Sequence, residues 1–387
     1  EVGDIVYGLS QSDAFLTTRL IRDCDAFGLW DQQNFLQSVA FDSADGLRAN
    51  ARGNLLALNF GTTAGGGTLY SLATDGTATT QLLYEFASPS PTRVSGVSAS
   101  PDNARIAVFG TDLGAVIVLD YDAGAMVGSG SGASASLAFI VAGAAPALTT
   151  QGTEWLDNET VLVYRRTDTA SMQMTELAAI DLSGAVPVVT TLVTIPVPVP
   201  TNGSQFLDIA YNPAVSPYIF CMYSRFSGGS TNQLSVIDPA TWQVVDQFDY
   251  SLSINTAREI ALAPGGTLYV GEYGGSDAPG PWLNAIDISD VSLMLDNDSV
   301  QCWQAFDGGP IQSNFNGLAV AVQETGDKPG ILGDLNGDGI VDSADLLILL
   351  NAWGSCPLPC PPSCAEDLNG DCVVDSADLL ILLSNWG

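Results

Sequence analysis

Residues 1–326 alternate short β-branched and aromatic runs with clusters of Gly, Pro, Asn and Asp, and no stretch sustains a helical apolar period. This pattern predicts an all-β region. Its runs phase into four-strand sets. One set is Ser38 to Phe41, Asn54 to Asn59, Gly67 to Leu72 and Gln81 to Phe86. The next is Gly96 to Ser100, Arg105 to Phe109, Ala115 to Asp120 and Leu137 to Val141, and later sets open near Glu154, Asp208 and Glu259. The sets recur at about 45–60 residues, the scale of a propeller blade with its loops. Asn316 to Val322 reads as a first strand with no blade after it, whereas Asp4 to Leu9 opens the chain as a second strand would. Pairing the two ends in one blade closes the ring and protects its edges. The predicted fold is a β-propeller of six blades, with seven as the alternative because Leu9 to Asn50 phases poorly.

The pattern changes near Gly326 to Gly330. Residues 331–387 carry nine acids, and no basic residue follows Lys328. The run that starts at Asp334 recurs from Asp367, an offset of 33. The expected organisation is a propeller over 1–326, a linker over 327–333 and a tandem module over 334–387. Each repeat contains five consecutive apolar residues, Leu346 to Leu350 and Leu379 to Leu383. Apolar all round, these predict two helices buried on more than one side.

Ahead of each helix lies the spacing of a twelve-residue calcium loop. Asp334, Asn336 and Asp338 occupy positions 1, 3 and 5, the Ile340 carbonyl position 7, Asp342 position 9 and Asp345 position 12. The second loop offers Asp367, Asn369, Asp371, the Val373 carbonyl, Asp375 and Asp378. Calcium takes six to eight oxygens, so alternate residues of a curled loop must turn inward. Gly339 allows the turn at position 6, where the second loop has Cys372. Two tail calcium ions are therefore expected.

A loop followed by one helix, ending on Asp rather than Glu and duplicated, resembles the type I dockerin module over 334–354 and 367–387. That resemblance implies a small α-helical calcium-binding domain. It also implies a protein partner, a cohesin-like domain, met through loop positions 10 and 11 and the helix. Those positions are Ser343, Ala344, Ser376 and Ala377, identical between repeats, which allows two docking orientations. Cellulosomal dockerins place basic residues on the helix, and these helices have none. The tail is closer to the dockerin-like ends of secreted planctomycete-type bacterial surface proteins, a resemblance that leaves the partner open, another copy of the chain included.

Charge narrows the function classes. The 387 residues hold 43 Asp and Glu against 11 Lys and Arg, and no histidine. A net charge of −32 repels nucleic acid and anionic membranes. Without histidine there is no Ser-His-Asp triad and no imidazole metal ligand. No run is long and apolar enough for a membrane span. The start at Glu1 suits a chain whose leader has been removed. Seven cysteines suit an oxidising, extracellular or cell-surface setting. Cys356, Cys360, Cys364 and Cys372 can form two bridges in any of three pairings; zinc binding competes, but the spacing lacks CxxC pairs. Cys24 and Cys302 fall on neighbouring blades and are a further candidate bridge, which leaves Cys221 as a buried free thiol.

Aligning the inner strands places Gly317, Glu259, Asp208, Glu154, Gly96 and Ser38 at one equivalent position. Three blades would then aim Glu154, Asp208 and Glu259 at the channel mouth, with Asn316 and Arg258 near, as a candidate site for a third cation or a polar ligand. This pattern resembles six-bladed lactonase-like and phosphotriesterase-like hydrolases, which hold calcium at such a funnel. Two readings follow. The first is a non-enzymatic extracellular protein whose calcium-dependent tail docks the propeller to a scaffold, a cell surface or a neighbouring copy, with filament or matrix assembly as one outcome. The alternative is a calcium-dependent hydrolase or lactonase anchored by its tail.

Overall fold

The computed structural model describes residues 4–10, 16–20, 44–49, 55–59, 66–72, 80–86, 94–111, 114–122, 134–142, 152–169, 172–197, 204–226, 230–249, 256–263, 266–273, 282–288, 300–305, 315–322, 335, 341, 343–355, 368 and 373–384. The chain divides into two compact units, Glu1–Val322 and Gln323–Gly387.

The first unit is all β. It opens with β1 (Asp4–Ser10) and β2 (Leu16–Leu20). Five antiparallel four-stranded sheets follow. The first blade is β3 (Ala44–Ala49), β4 (Leu55–Asn59), β5 (Thr68–Leu72) and β6 (Thr80–Glu85). The second is β7 (Val94–Ala99), β8 (Arg105–Gly110), β9 (Ala115–Asp122) and β10 (Ser134–Val141). The third is β11 (Thr153–Trp155), β12 (Thr160–Thr169), β13 (Met172–Asp181) and β14 (Val188–Pro196). The fourth is β15 (Ser204–Ala210), β16 (Ile219–Phe226), β17 (Ser230–Asp238) and β18 (Gln243–Asp249). The fifth is β19 (Thr256–Leu262), β20 (Thr267–Tyr273), β21 (Trp282–Asp287) and β22 (Val300–Ala305).

The last strand, β23 (Phe315–Val322), pairs with β1, which pairs with β2, so the two ends of the unit share one three-stranded sheet. Each first strand touches the next around the circle from β3 to β23, and β23 touches β3. The pairing of the ends is as expected, but among the described residues the ring has five four-stranded blades rather than six, and the sheet shared by the two ends has three strands.

Apolar cores lie between neighbouring sheets. Leu56, Leu58 and Leu69 of the first blade pack with Ile106, Ile117 and Leu119 of the second. Val116, Val118 and Phe109 meet Trp155, Val161 and Ile180 of the third blade. Leu162, Tyr164 and Leu177 meet Leu207, Ile219 and Tyr223 of the fourth, and Phe220, Leu234 and Val236 meet Ile260, Leu268 and Val270 of the fifth. The fourth strand of every full blade is bulged at one place, skipping Leu83, Ala138, Leu192, Val245 or Gln301 in its ladder. A bulge bends the strand that faces solvent and spoils it as a template for another chain.

Two expectations need correction. The inner strand of the first blade is Ala44–Ala49, not Ser38 to Phe41, which lie outside the described residues. Asp45 and Gly46 sit where the β3 ladder shifts register, and they mask that strand's apolar signal. The helices α1 (Ser343–Asn351) and α2 (Ser376–Ser384) start two residues before Asp345 and Asp378. In the second repeat Asp375 accounts for the start, because its Oδ1 accepts a 2.7 Å hydrogen bond from the Ala377 amide and caps the helix.

In the tail unit, Val341, Leu349, Val374 and Leu382 are buried together. Leu335, Leu346, Ala352, Leu368 and Leu379 flank them. Most members pair at the 33-residue offset, so the core repeats the duplication of the sequence. A two-residue ladder, β24 (Gly354–Ser355) with β25 (Val373–Val374), ties the end of the first repeat to the second loop. Gly354 has a φ of 128°, a conformation that suits glycine as the chain leaves α1.

Candidate functional site

Of the calcium-loop residues, Asp345, Val373, Asp375 and Asp378 are described; Asp334, Asn336, Asp338, Ile340, Asp342, Asp367, Asn369 and Asp371 lie outside the described residues. Asp345 and Asp378 are each 0% exposed. Their surroundings match. Oδ1 of Asp345 accepts a 2.7 Å hydrogen bond from the Leu335 amide, and Oδ1 of Asp378 accepts one of 2.8 Å from Leu368. The twelfth residue of each loop therefore holds the amide of the second, which brings the two ends of the loop together. Oδ2 of Asp378 also accepts from the Asp375 amide at 2.8 Å.

A buried ionised carboxylate costs several kcal/mol unless charge and hydrogen bonds compensate it. The hydrogen bonds are present, but the sequence beyond Lys328 contains no basic residue to supply the charge. The oxygen donors in the sequence of each loop, together with the buried carboxylates of Asp345 and Asp378, fit a hard divalent cation such as calcium.

Around the helices the apolar residues split into two faces. Leu349 and Leu382 point into the core, while Leu347 and Leu380 are 67% and 68% exposed. Leu350 and Leu383 are 46% and 47% exposed, and Trp353 is exposed beside them. Among the described residues, burial of each helix on more than one side is thus not met: Leu349 and Leu382 are buried on one face, and Leu347 and Leu380 are exposed on the other. Ser343, Ser376 and Ala377 are exposed, and Ala344 lies in the first turn of α1.

The propeller's candidate residues take positions in the inner ring. Asp208 on β15 is buried, and its Oδ2 accepts a 2.8 Å hydrogen bond from the Ile260 amide on β19. It also abuts Gly152, where an added Cβ would lie 2.6 Å from Asp208 Oδ1 and 2.7 Å from its Cα. Asp208 therefore joins three successive blades. Glu259 is buried on β19. Glu154 is half-buried, and its Oε1 accepts from its own neighbour's amide, that of Trp155, at 3.0 Å. Glu154 stands opposite Leu162 on its own blade, whereas the residue that meets Asp208 across the seam is Gly152, whose carbonyl accepts from the Tyr164 amide. Arg258 sits at the register shift of β19 with its guanidinium 4.1 Å from the centre of the Phe206 ring. Asn316 lies on β23. Among the described residues no three Cys, Asp or Glu side chains gather as a metal cage.

The cysteines divide likewise. Cys221 is a buried free thiol, as expected, and burial with Asp208 close by pushes it well above its usual ionisation. Cys302 lies on β22 opposite Ala285. Cys24, Cys356, Cys360, Cys364 and Cys372 lie outside the described residues.

Comparison with known structures supports the ring. A chain of the nidogen/laminin complex crystal structure superposes with a TM-score of 0.54 at 9% identity, covering 83% of this chain and 99% of that one. A putative 6-phosphogluconolactonase from Bacteroides fragilis gives 0.47 at 11% identity over 83% and 98% of the two chains. A Lactobacillus plantarum protein gives 0.47 at 12% over 82% and 99%. At 9% identity the likeness to the first concerns the fold alone, and with TM-scores of 0.47 the other two carry no argument. No curated protein matches the chain. No helix among the described residues is long and apolar enough to cross a membrane. The tail is specific where the ring is generic: residues 332–385 match the family model of the dockerin type I domain, so this chain is a β-propeller carrying a dockerin type I domain.

Proposed function

We propose that the chain is an extracellular binding and structural protein without catalytic activity, whose calcium-loaded tail docks its propeller to a scaffold, a cell surface or a neighbouring copy. The carrying observation is the duplicated apolar face. Leu347 with Leu350 on α1, and Leu380 with Leu383 on α2, are exposed to almost equal extents at the 33-residue offset. Dockerin domains are protein-docking modules, typically for cohesin, and these faces offer an uncharged surface to such a partner. Calcium, when bound, would neutralise Asp345 and Asp378. Those residues in turn hold the Leu335 and Leu368 amides, fixing each loop against the helix that presents its outer face.

The near-equivalence of the two faces supports two docking orientations related by the internal duplication. If the partner is another copy's propeller, the contact is heterologous and repeats head to tail into a filament unless the ring closes. The hydrolase reading finds less support, since Asp208 is committed to the Ile260 amide and Glu154 to its own strand. Light scattering of the full chain with a cohesin domain, and alone, with and without calcium, tests the proposal. A calcium-dependent rise in mass in either mixture supports it. Masses that stay monomeric in both refute docking through this tail to either partner.

A further inference from the structure

The short ladder of the tail fixes a relation between its two repeats. Gly354 pairs with Val374 and Ser355 with Val373, antiparallel. Cys356 follows Ser355 in the chain and Cys372 precedes Val373, both just outside the described residues. One further step of the same register would set these two cysteines directly opposite each other. Residues so placed in an antiparallel pair have Cα atoms about 4.5–5.5 Å apart, within the roughly 4.4–6.8 Å that a disulfide spans. Faces alternate along β25: Val373 is 37% exposed, whereas Val374 is buried in the tail core. The step before Val373 would share the face of Val374, the core side of the ladder, which suits an apolar S–S bond.

An asymmetry between the two loops points the same way. Position 6 is Gly339 in the first loop and Cys372 in the second. Among the described residues, the second loop is the one held by a ladder, since β25 lies in it and β24 belongs to the chain leaving α1. The cysteine thus stands in the loop that has a neighbouring strand to bridge to. We infer that Cys356 and Cys372 form a disulfide that clamps the second calcium loop to the end of the first repeat, which leaves Cys360 and Cys364 to each other. The bond forms as the two thiols give up two protons and two electrons to a small-molecule or protein disulfide, which leaves as two thiols. It anchors position 6, one residue before the Val373 carbonyl that the loop offers to calcium, and offsets the strain of a side chain where the sharp turn of such loops calls for glycine. This clamp rests on the calcium reading of the loop and is independent of the docking partner.

Peptide mapping of the full chain tests the bridge directly. The protein, exported to an oxidising compartment or refolded with glutathione disulfide, is alkylated at its free thiols and digested without reductant before Asp and after Glu. The expected result is a joined pair of peptides carrying Cys356 and Cys372, in which fragmentation between Cys356 and Cys360 releases Cys356 still bound to the Cys372 peptide. Cys356→Ser should abolish that pair and weaken one of the two calcium sites roughly ten-fold in a calorimetric titration, the cost of holding a side chain in a left-handed turn. Cys360→Ser combined with Cys364→Ser should change neither. The inference is overturned if Cys372 is joined to Cys360 or Cys364, if it is alkylated as a free thiol, or if the four thiols react only after a chelator has removed zinc. A joined Cys356–Cys372 pair with calcium uptake unaltered in Cys356→Ser would overturn the role of the bridge in the loop.

Discussion

The propeller and the tail solve the same problem by different means. In the propeller, each seam between full blades is filled by ten or more buried apolar residues drawn from two sheets, and polar links such as Asp208 to Ile260 and Asn232 to Ala257 only register the blades. In the tail, four buried apolar residues among the described ones form the core, and Asp345 and Asp378 are fully buried in the same unit. A large sheet stack can bury enough apolar surface to stand without a metal, whereas a module of this size needs a staple. Acidity therefore plays different parts in one chain: on the ring it includes exposed carboxylates such as Asp120 and the buried link Asp208, whereas in the tail two fully buried carboxylates would be balanced by a cation.

The largest expected effect separates the two outright. Chelation of calcium from the full chain should melt the tail helices and leave the propeller transition in place, seen by calorimetry as loss of one transition and retention of the other. If both transitions moved together, the division of labour would be wrong. Next in size, Asp378→Asn should weaken calcium binding in the second loop roughly 10–100-fold, the usual range for groups that orient ligands, with the first loop unchanged. Equal losses in both loops would mean that the repeats act as one unit.

Within the ring, Gly152→Ala should lower stability by about 1–3 kcal/mol, because the new Cβ meets the backbone of Asp208 rather than a movable side-chain tip. Denaturant unfolding would show this in the propeller transition only. Smallest is an acid effect at the turn between β7 and β8. Partial burial pushes the Asp102 carboxyl up, but hydrogen bonds from Ser100 and the Ala104 amide, with Arg105 near, bring it below its ordinary 3.8. A folded value below the unfolded one stabilises the protein above pH 3.8, and this contribution fades as pH falls through the folded value. Asp102→Asn should flatten that part of the propeller's acid limb and slightly lower its stability near neutrality, where the ionised carboxylate contributes.

How much of this was legible beforehand follows the same divide. Strand rhythm announced the blades, and the mismatch between Asn316 to Val322 and Asp4 to Leu9 announced their closure, because both depend on side-chain alternation that sequence records directly. The tail loops were legible because oxygen donors must recur at alternate positions. What escaped were features set by partners distant in sequence. β3 was missed because a bulge at Asp45 and Gly46 interrupts its alternation. Glu154 was placed level with Asp208, but the residue that meets Asp208 across the seam is Gly152, and that close approach explains the glycine. That some helix surface would remain for a partner could be expected, but five consecutive apolar residues give no hint that it is the side of Leu347 and Leu380.

The most direct test of the account is a calcium titration of the full chain followed by calorimetry. Uptake of two ions per chain, with the tail transition rising as calcium rises and the propeller transition fixed, is the predicted result. Absence of saturable uptake, or a tail transition indifferent to calcium, would contradict it.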